Sequence, residues 1–189
     1  MRPDIKAFFD SATHTISYVL RDPLTTACAI IDPVLDYEPN AARVSTRSAQ
    51  GIVEYIREEG LDLQWILETH AHADHLSAAQ WLRRELGGRV GIGDHICQVQ
   101  AHFAALYHLG PEFRADGSQF DHLFKDGEEF RVGSLPVRVL HTPGHTPACV
   151  SYVAGDTVFV GDTMFMPDYG TARADFPGGD PQALYRSIR

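Results

Sequence analysis

The sequence predicts an α/β fold in which two layers of β-strands pack together and helices lie on the outside. Two observations lead to this prediction. Up to about residue 115, strand-like apolar runs alternate with segments whose apolar residues have helical spacing. From Phe120 onward, short strand-like runs return, and a last helical segment follows them. We expect residues 1–189 to form one domain, because no linker or low-complexity segment interrupts them.

The first part of the chain has the pattern of an antiparallel meander. Its third strand is a continuous apolar run that ends at Asp32-Pro33, because the proline restricts the backbone of the residue before it. Residues 33–48 are polar and irregular, and they are predicted to form a loop. The predicted strands of the meander cover residues 5–9, 15–20 and 27–31.

Helical and strand-like segments alternate in the middle of the chain. Glycines mark two of the helix ends, near Gly60 and at Gly87-Gly88. The predicted elements are a helix over 48–56, a strand over 64–67, a helix over 76–86, a strand over 89–92 and a helix over 96–109.

The second part of the chain is again β-like. A turn at Gly155-Asp156 predicts a hairpin between residues 150–153 and 157–160. Asp180 is a suitable N-cap for a closing helix, with Pro181 at its first position.

The composition excludes several classes of function. A formal net charge of −9 argues against a nucleic-acid surface, which relies on Lys and Arg. No apolar run approaches the roughly 18 residues that span a bilayer, and the first residues do not resemble a secretory signal. The three cysteines have no C-x-x-C spacing, which indicates reduced thiols and a cytoplasmic location.

The most informative segment is the histidine-rich stretch that follows the strand over 64–67. It contains His70, His72, Asp74 and His75, all residue types that bind first-row metals. On an extended chain His70 and His72 point to the same side, and Asp74 continues that face. His75 can turn to a second position as the next helix begins. One loop can therefore offer ligands to one metal or to two neighbouring metals.

Two further ligand-type residues lie at predicted strand ends. His145 follows the run 135–140 at a Pro-Gly break, and Asp162 follows the hairpin in Gly-Asp-Thr. If these strands lie side by side, their ends converge with the histidine loop on one site. His141 is expected to face away and to have a structural role.

The motifs His-Ala-His-Ala-Asp-His, Thr-Pro-Gly-His-Thr and Gly-Asp-Thr, in this order, resemble those of the metallo-β-lactamase superfamily. The resemblance implies an αβ/βα sandwich with two mixed β-sheets and helices on both outer faces. It also implies up to two metals, one held by His70, His72 and His145 and the other by Asp74 and His75, with Asp162 bridging. The family's last ligand is a histidine that this sequence does not reach, so we expect a shortened second half or an incomplete second site.

Within that superfamily, the segments Thr69–Ala79 and Asp168–Gly179 resemble the persulfide dioxygenases and their bacterial β-lactamase-like relatives. The resemblance implies one iron(II) held by His70, His145 and Asp162, with glutathione persulfide and O₂ as substrates. Asp74 and His75 would orient ligands or move protons.

The resemblance also suggests residues that contact the substrate. Arg173 would bind the glutathione carboxylate, and Tyr169 would line the same entrance. A surface pairing of Arg173 with Asp175 is the alternative. Ala174 stands where close relatives carry a cysteine, so a redox role for such a thiol is in question here.

Two other functions remain open at this stage. One or two zinc ions at the same residues would support hydrolysis of a glutathione thioester, as in glyoxalase II, of a lactone or of a β-lactam. A non-catalytic metal-binding module is the second. A homodimer is compatible with the sequence, and neither a nucleic acid nor a membrane is an expected partner.

Overall fold

The computed structural model describes residues 2–189, which form strands and helices close to those predicted. Short 3-10 turns lie at Pro39–Ala41 and Gly161–Thr163. The helices are α1 (Arg47–Glu58), α2 (Ala79–Leu86), α3 (Ile96–Leu106) and α4 (Pro181–Ile188). The strands are β1 (Asp4–Phe9), β2 (Ile16–Arg21), β3 (Ala27–Ile31), β4 (Val34–Glu38), β5 (Arg43–Ser45), β6 (Asp62–Leu67), β7 (Leu76–Ser77), β8 (Arg89–Gly93), β9 (His122–Phe124), β10 (Glu129–Val132), β11 (Leu135–His141), β12 (Val150–Ala154) and β13 (Thr157–Phe159).

The strands form two main sheets within the described residues. The larger has the order β1-β2-β3-β6-β8-β9. Its first three strands are the predicted antiparallel meander, and β3, β6, β8 and β9 run parallel. The smaller sheet has the order β10-β11-β12-β13. The predicted α/β class is confirmed, but only the larger sheet is mixed, because every pairing in the smaller one is antiparallel.

The two sheets bury one core between them. Ala29, Ile31 and Leu67 of the larger sheet pack with Val137 and Tyr152 of the smaller sheet, all fully buried. Successive side chains of a strand alternate in direction, so Cys28 and Ile30 of β3 face the other side. The strand β3 is apolar throughout because both of its faces are covered.

Helices α1 and α2 cover the outer face of the larger sheet. Ile52 and Ile56 of α1 and Leu82 of α2 are buried against Ile30 and Ile66 of the sheet. Burying a side chain of this size contributes about 1.5–3 kcal/mol. This layer fixes β6, and therefore the loop that follows β6.

The prediction of a loop over residues 33–48 is wrong. Strand β4 pairs with β5 on one side and with β7 on the other. All three residues of β5 are exposed, so this strand has no apolar alternation that the sequence could reveal. Asp36 joins the hairpin to the start of α1, because its carboxylate accepts hydrogen bonds from Ser48 Oγ (2.6 Å) and Ser48 N (3.0 Å).

The predicted cap of the last helix is confirmed. Asp180 Oδ1 accepts hydrogen bonds from the main-chain N–H groups of Gln182 (2.8 Å) and Ala183 (3.1 Å), and Pro181 occupies the first turn. Across the described part of the chain, the helices are too short or too polar to cross a membrane.

Candidate metal centre

Three strand ends meet at one edge of the sandwich. The loop after β6 passes beside the start of β12, where the main-chain N–H of Val150 donates to Thr69 O (2.9 Å). The hydroxyl of Tyr152 donates to Glu68 O (2.9 Å) from within the core. Gly161 lies against the side chain of Thr69 with φ of +49°, where a Cβ would clash. This close approach brings the turn that carries Asp162 next to the histidine loop.

His70, His145 and Asp162 form the first group of ligand-type residues. Their ligand atoms all lie within 4.8 Å of one another. Asp162 Oδ2 is 3.9 Å from His70 Nε2 and 3.6 Å from His145 Nε2. Both histidines are buried, and the aspartate is partly exposed. These residues come from three separate segments, so the structure brings together the strand ends that the sequence analysis singled out.

Hydrogen bonds orient both imidazoles of this group. His145 Nδ1 lies 2.8 Å from the main-chain oxygen of Arg173, which can only accept, so Nδ1 carries the proton. The hydroxyl of Thr69 donates to Asp32 Oδ2 (2.8 Å) and lies 3.0 Å from His70 Nδ1, from which it accepts. Each ring therefore turns an Nε2 lone pair toward Asp162.

The donor set fits a divalent metal. His70 Nε2 is buried and has no hydrogen-bond partner within residues 2–189. A buried nitrogen without a partner costs free energy unless a bound ligand satisfies that nitrogen. Burial, with a contribution from the neighbouring His72, holds the pKa of His70 well below its usual value and keeps the ring neutral. Burial also raises the pKa of Asp162. Two imidazoles and a carboxylate suit iron or zinc.

His72 belongs to a different set of contacts. Its Nε2 lies 3.1 Å from Asp32 Oδ1 and 3.3 Å from Glu68 Oε2, and all three side chains are buried. Burial opposes the charge of His72, but the carboxylate of Asp32 holds its pKa well above the usual value. His72 in turn keeps the pKa of Asp32 low despite burial. His72 is thus paired with Asp32.

His72, Asp74 and His75 form a second group, again with ligand atoms within 4.8 Å. His75 Nδ1 donates to Leu76 O (2.9 Å), and its buried Nε2 has no partner within the described residues. Asp74 Oδ2 accepts from Thr15 Oγ1 (3.0 Å). The four ligand-type residues of the loop therefore divide, with His70 in one group and the other three in the second.

Asp32 is a site residue that the sequence analysis missed. Besides His72, it accepts from the main-chain N–H of Thr69 (2.7 Å). Its own φ is +49°, a strained value for a residue with a Cβ. The available signal was the same as for Asp162, an acidic residue directly after a strand. Arg173 was predicted for its side chain, but the sequence analysis missed its contact with His145, because the main-chain oxygen makes that contact and leaves no side-chain signature.

The predicted substrate residues lie on the exposed segment that follows Asp162. The guanidinium of Arg173 pairs with both carboxylate oxygens of Asp175, at 2.6 and 2.8 Å. This is the surface pairing that the sequence analysis kept as the alternative. Tyr169 is 81% exposed. The ring of Phe176 lies 5.7 Å from that of His145 and brings this segment next to the metal group.

Comparison with known families assigns the fold. Residues 12–189 match the family model described as the metallo-beta-lactamase superfamily. The chain belongs to this superfamily. The members of this superfamily include metal-dependent hydrolases and a dioxygenase.

Superfamily relatives of both kinds resemble this chain. A probable metallo-hydrolase of Burkholderia pseudomallei is 51% identical over 98% of this chain and 66% of its own length. The human mitochondrial persulfide dioxygenase ETHE1 is 31% identical over 97% of this chain and 61% of its own length. The crystal structure of ETHE1 from Myxococcus xanthus matches with a TM-score of 0.77 and 30% identity, over 98% of this chain and 68% of that chain. This chain thus spans less than two thirds of the curated relatives' length.

Proposed function

We propose that the protein is an iron(II)-dependent dioxygenase that oxidises glutathione persulfide to sulfite and glutathione. The observation that carries this proposal is the group formed by His70, His145 and Asp162. Two imidazoles and one carboxylate leave open coordination positions, as in non-haem iron oxygenases. The resemblance to ETHE1 persulfide dioxygenase over 97% of the chain supports the same choice.

The hydrogen bond between His72 and Asp32 supports a single metal, held by His70, His145 and Asp162. Nε2 of His72 donates to Asp32 and is not available as a ligand while that pair is intact. The ring instead helps to hold the loop, because Asp32 also binds the main chain of Thr69. The hydroxyl of Thr69 and the carbonyl of Arg173 keep His70 and His145 aligned, as partners of ligating histidines commonly do.

The proposed reaction is balanced without a further oxidant. Glutathione persulfide, O₂ and water give glutathione, sulfite and two protons, and the outer sulfur loses the four electrons that O₂ accepts. Iron(II) bound in the group would supply the redox chemistry that pairs O₂ with the sulfur. Arg173 would bind a glutathione carboxylate, and Tyr169 would flank the same entrance. Asp74 and His75, beside the group, would take up and return protons.

Oxygen consumption tests the proposal directly. Iron-loaded protein is mixed with glutathione persulfide, and O₂ uptake and sulfite are recorded together. We expect both in equal amounts, and we expect His145→Ala to abolish both. His102→Ala, an exposed histidine of α3, is the matched control and should retain full turnover. Absence of uptake with the iron content verified would overturn the proposal.

A zinc-dependent hydrolase is the second candidate. It is favoured by His75 Nε2, which has no hydrogen-bond partner within residues 2–189 and offers a ligand to a second metal beside Asp74. The Burkholderia relative named as a probable metallo-hydrolase points the same way. Zinc would lower the pKa of a bound water to about 7. Hydrolysis of a glutathione thioester by the zinc form, without O₂ uptake by the iron form, would establish this alternative.

A further inference from the structure

A second space adjoins the metal centre at the histidine loop. It is a cavity of about 340 Å³ between the histidine loop, the start of α2, strand β8 and the segment before β9. Its inner end is formed by the histidine loop, and its wall by apolar side chains. Those wall residues include Leu76, Ala79, Val90, Ile92 and Phe120.

Polar groups of the cavity lie at its two ends. At the inner end, Ser77 Oγ donates to Glu68 Oε1, and Glu68 also faces His72. At the outer end, Gln80 Nε2 donates to Gln119 O (3.4 Å), and the side chain of Gln119 is held by Gln100 (2.8 Å). Gln80 and Gln119 are exposed, so this end faces solvent.

The cavity is separate from the proposed thiol entrance. Arg173 and Tyr169 belong to the segment after Asp162, and within the described residues that segment contributes nothing to the cavity wall. The inner end nevertheless includes His70, a member of the metal group. Two approaches to the same centre therefore differ in chemistry. One is exposed and carries the Arg173–Asp175 pair, and the other is half-open to solvent and mainly apolar.

We propose that this cavity admits O₂ to the metal centre independently of the thiol substrate. The inference rests on the proposed dioxygenase function. A small uncharged gas is favoured by an apolar wall, whereas the carboxylates of a glutathione conjugate would lose hydration there and would face the carboxylate of Glu68. Apolar protein cavities of about 150 Å³ take up xenon, so this one has ample volume for O₂. Separate access lets O₂ arrive while the thiol fills its own entrance.

Xenon binding tests the cavity without any turnover. Crystals of the full-length, iron-loaded protein are pressurised with xenon, and its anomalous signal is located. We expect a xenon atom between Ala79 and Phe120. We expect Ala79→Met, which extends a side chain into the cavity from the first turn of α2, to remove that signal. Absence of xenon from the unaltered protein would overturn the inference.

Kinetics with O₂ as the varied substrate test the access role. For Ala79→Met we expect the KM for O₂ to rise about fivefold or more, with the KM for the persulfide and kcat at saturating O₂ unchanged. Gln80→Trp, at the exposed mouth, should act in the same direction without affecting folding. Gln50→Trp on the exposed face of α1 is its matched control.

The outcomes separate this inference from the function on which it rests. If Ala79→Met loses xenon but keeps the KM for O₂, the access role is wrong and the dioxygenase stands. If the unaltered iron protein consumes no O₂, both fall, and a bound xenon then describes only an apolar cavity.

Discussion

Asp32 and His72 form a buried ion pair directly behind the metal group, with Asp32 Oδ1 3.1 Å from His72 Nε2. Asp32 is 5% exposed, and it also binds the main chain and hydroxyl of Thr69. A single carboxylate thereby sets the position of His72 and, through Thr69, the tautomer of His70. The geometry of the site depends on this residue even though it lies outside the first group of ligand-type residues.

We expect Asp32→Ala to destabilise the protein strongly. The substitution leaves a buried histidine without its carboxylate and the N–H of Thr69 without an acceptor, at a cost of about 3–5 kcal/mol. Denaturant unfolding of the metal-free protein measures the change. Asp62→Ala, an exposed aspartate of β6, is the control and should change the unfolding free energy by less than about 0.5 kcal/mol. Equal effects of the two substitutions would contradict the assigned role.

Metal content distinguishes one bound metal from two. We expect His145→Ala and Asp162→Ala to lose the first metal, because each removes a member of its group. His75→Ala should retain the first metal, since His75 belongs to the second group. Elemental analysis after reconstitution with iron and with zinc gives the stoichiometry. Loss of all metal in His75→Ala would show that the two groups bind as one unit.

If Arg173 binds the substrate carboxylate, Asp175 competes with the substrate for the guanidinium of Arg173. The carboxylate of Asp175 accepts hydrogen bonds from Nε and Nη2 of Arg173. We therefore expect Asp175→Asn to lower the KM for glutathione persulfide and Arg173→Ala to raise it. Both side chains are 69% exposed, so stability should change little.

Arg114 and Asp116 provide the matched control for this competition. They form another exposed Arg–Asp pair at the same sequence separation, with Arg114 Nη2 2.8 Å from Asp116 Oδ2. Arg114→Ala and Asp116→Asn should leave the KM unchanged. A KM that responds equally to both pairs would indicate a general charge effect rather than binding at Arg173.

The hydrogen bonds of Asp22 predict that the protein loses stability at low pH, independently of the metal centre. It accepts hydrogen bonds from Ser134 N (2.7 Å), Thr25 Oγ1 (2.8 Å) and Leu24 N (3.0 Å), and so joins the turn after β2 to the turn between β10 and β11. Burial opposes the charge, but these hydrogen bonds lower its pKa from 3.8 to about 2.

A lowered carboxyl pKa stabilises the folded state above the unfolded pKa of 3.8, and this contribution is lost as the pH falls through about 2. We expect Asp22→Asn to weaken the protein at pH 7 and to reduce the fall in stability between pH 4 and 2. Urea unfolding at several pH values measures both. If the free energy of unfolding of Asp22→Asn falls as steeply between pH 4 and 2 as that of the unaltered protein, other carboxylates cause the loss of stability in acid.

The sequence indicated the ligand-type residues because strand ends carry a local signature. A strand-like run that is followed within a few residues by His or Asp is recognisable without the fold. This pattern indicated His70, His145 and Asp162. The N-cap of α4 at Asp180 was recognisable for a different local reason, an Asp directly before a Pro at the start of a helical segment. Local pattern failed for residues 33–48, where β4 pairs with the fully exposed strand β5 and with the two-residue strand β7.

By itself, the sequence determined the fold class, the order of most elements and the ligand-type residues, since each depends on local pattern or on recognisable motifs. Only the tertiary structure decided how those residues are divided. His70 joins His145 and Asp162, whereas His72, two residues away, pairs with Asp32 from another strand. Such choices depend on the approach of distant segments and on main-chain acceptors such as Arg173 O. Hydrogen-bond geometry and the cost of burying charge decide them, and neither can be read from the order of residues.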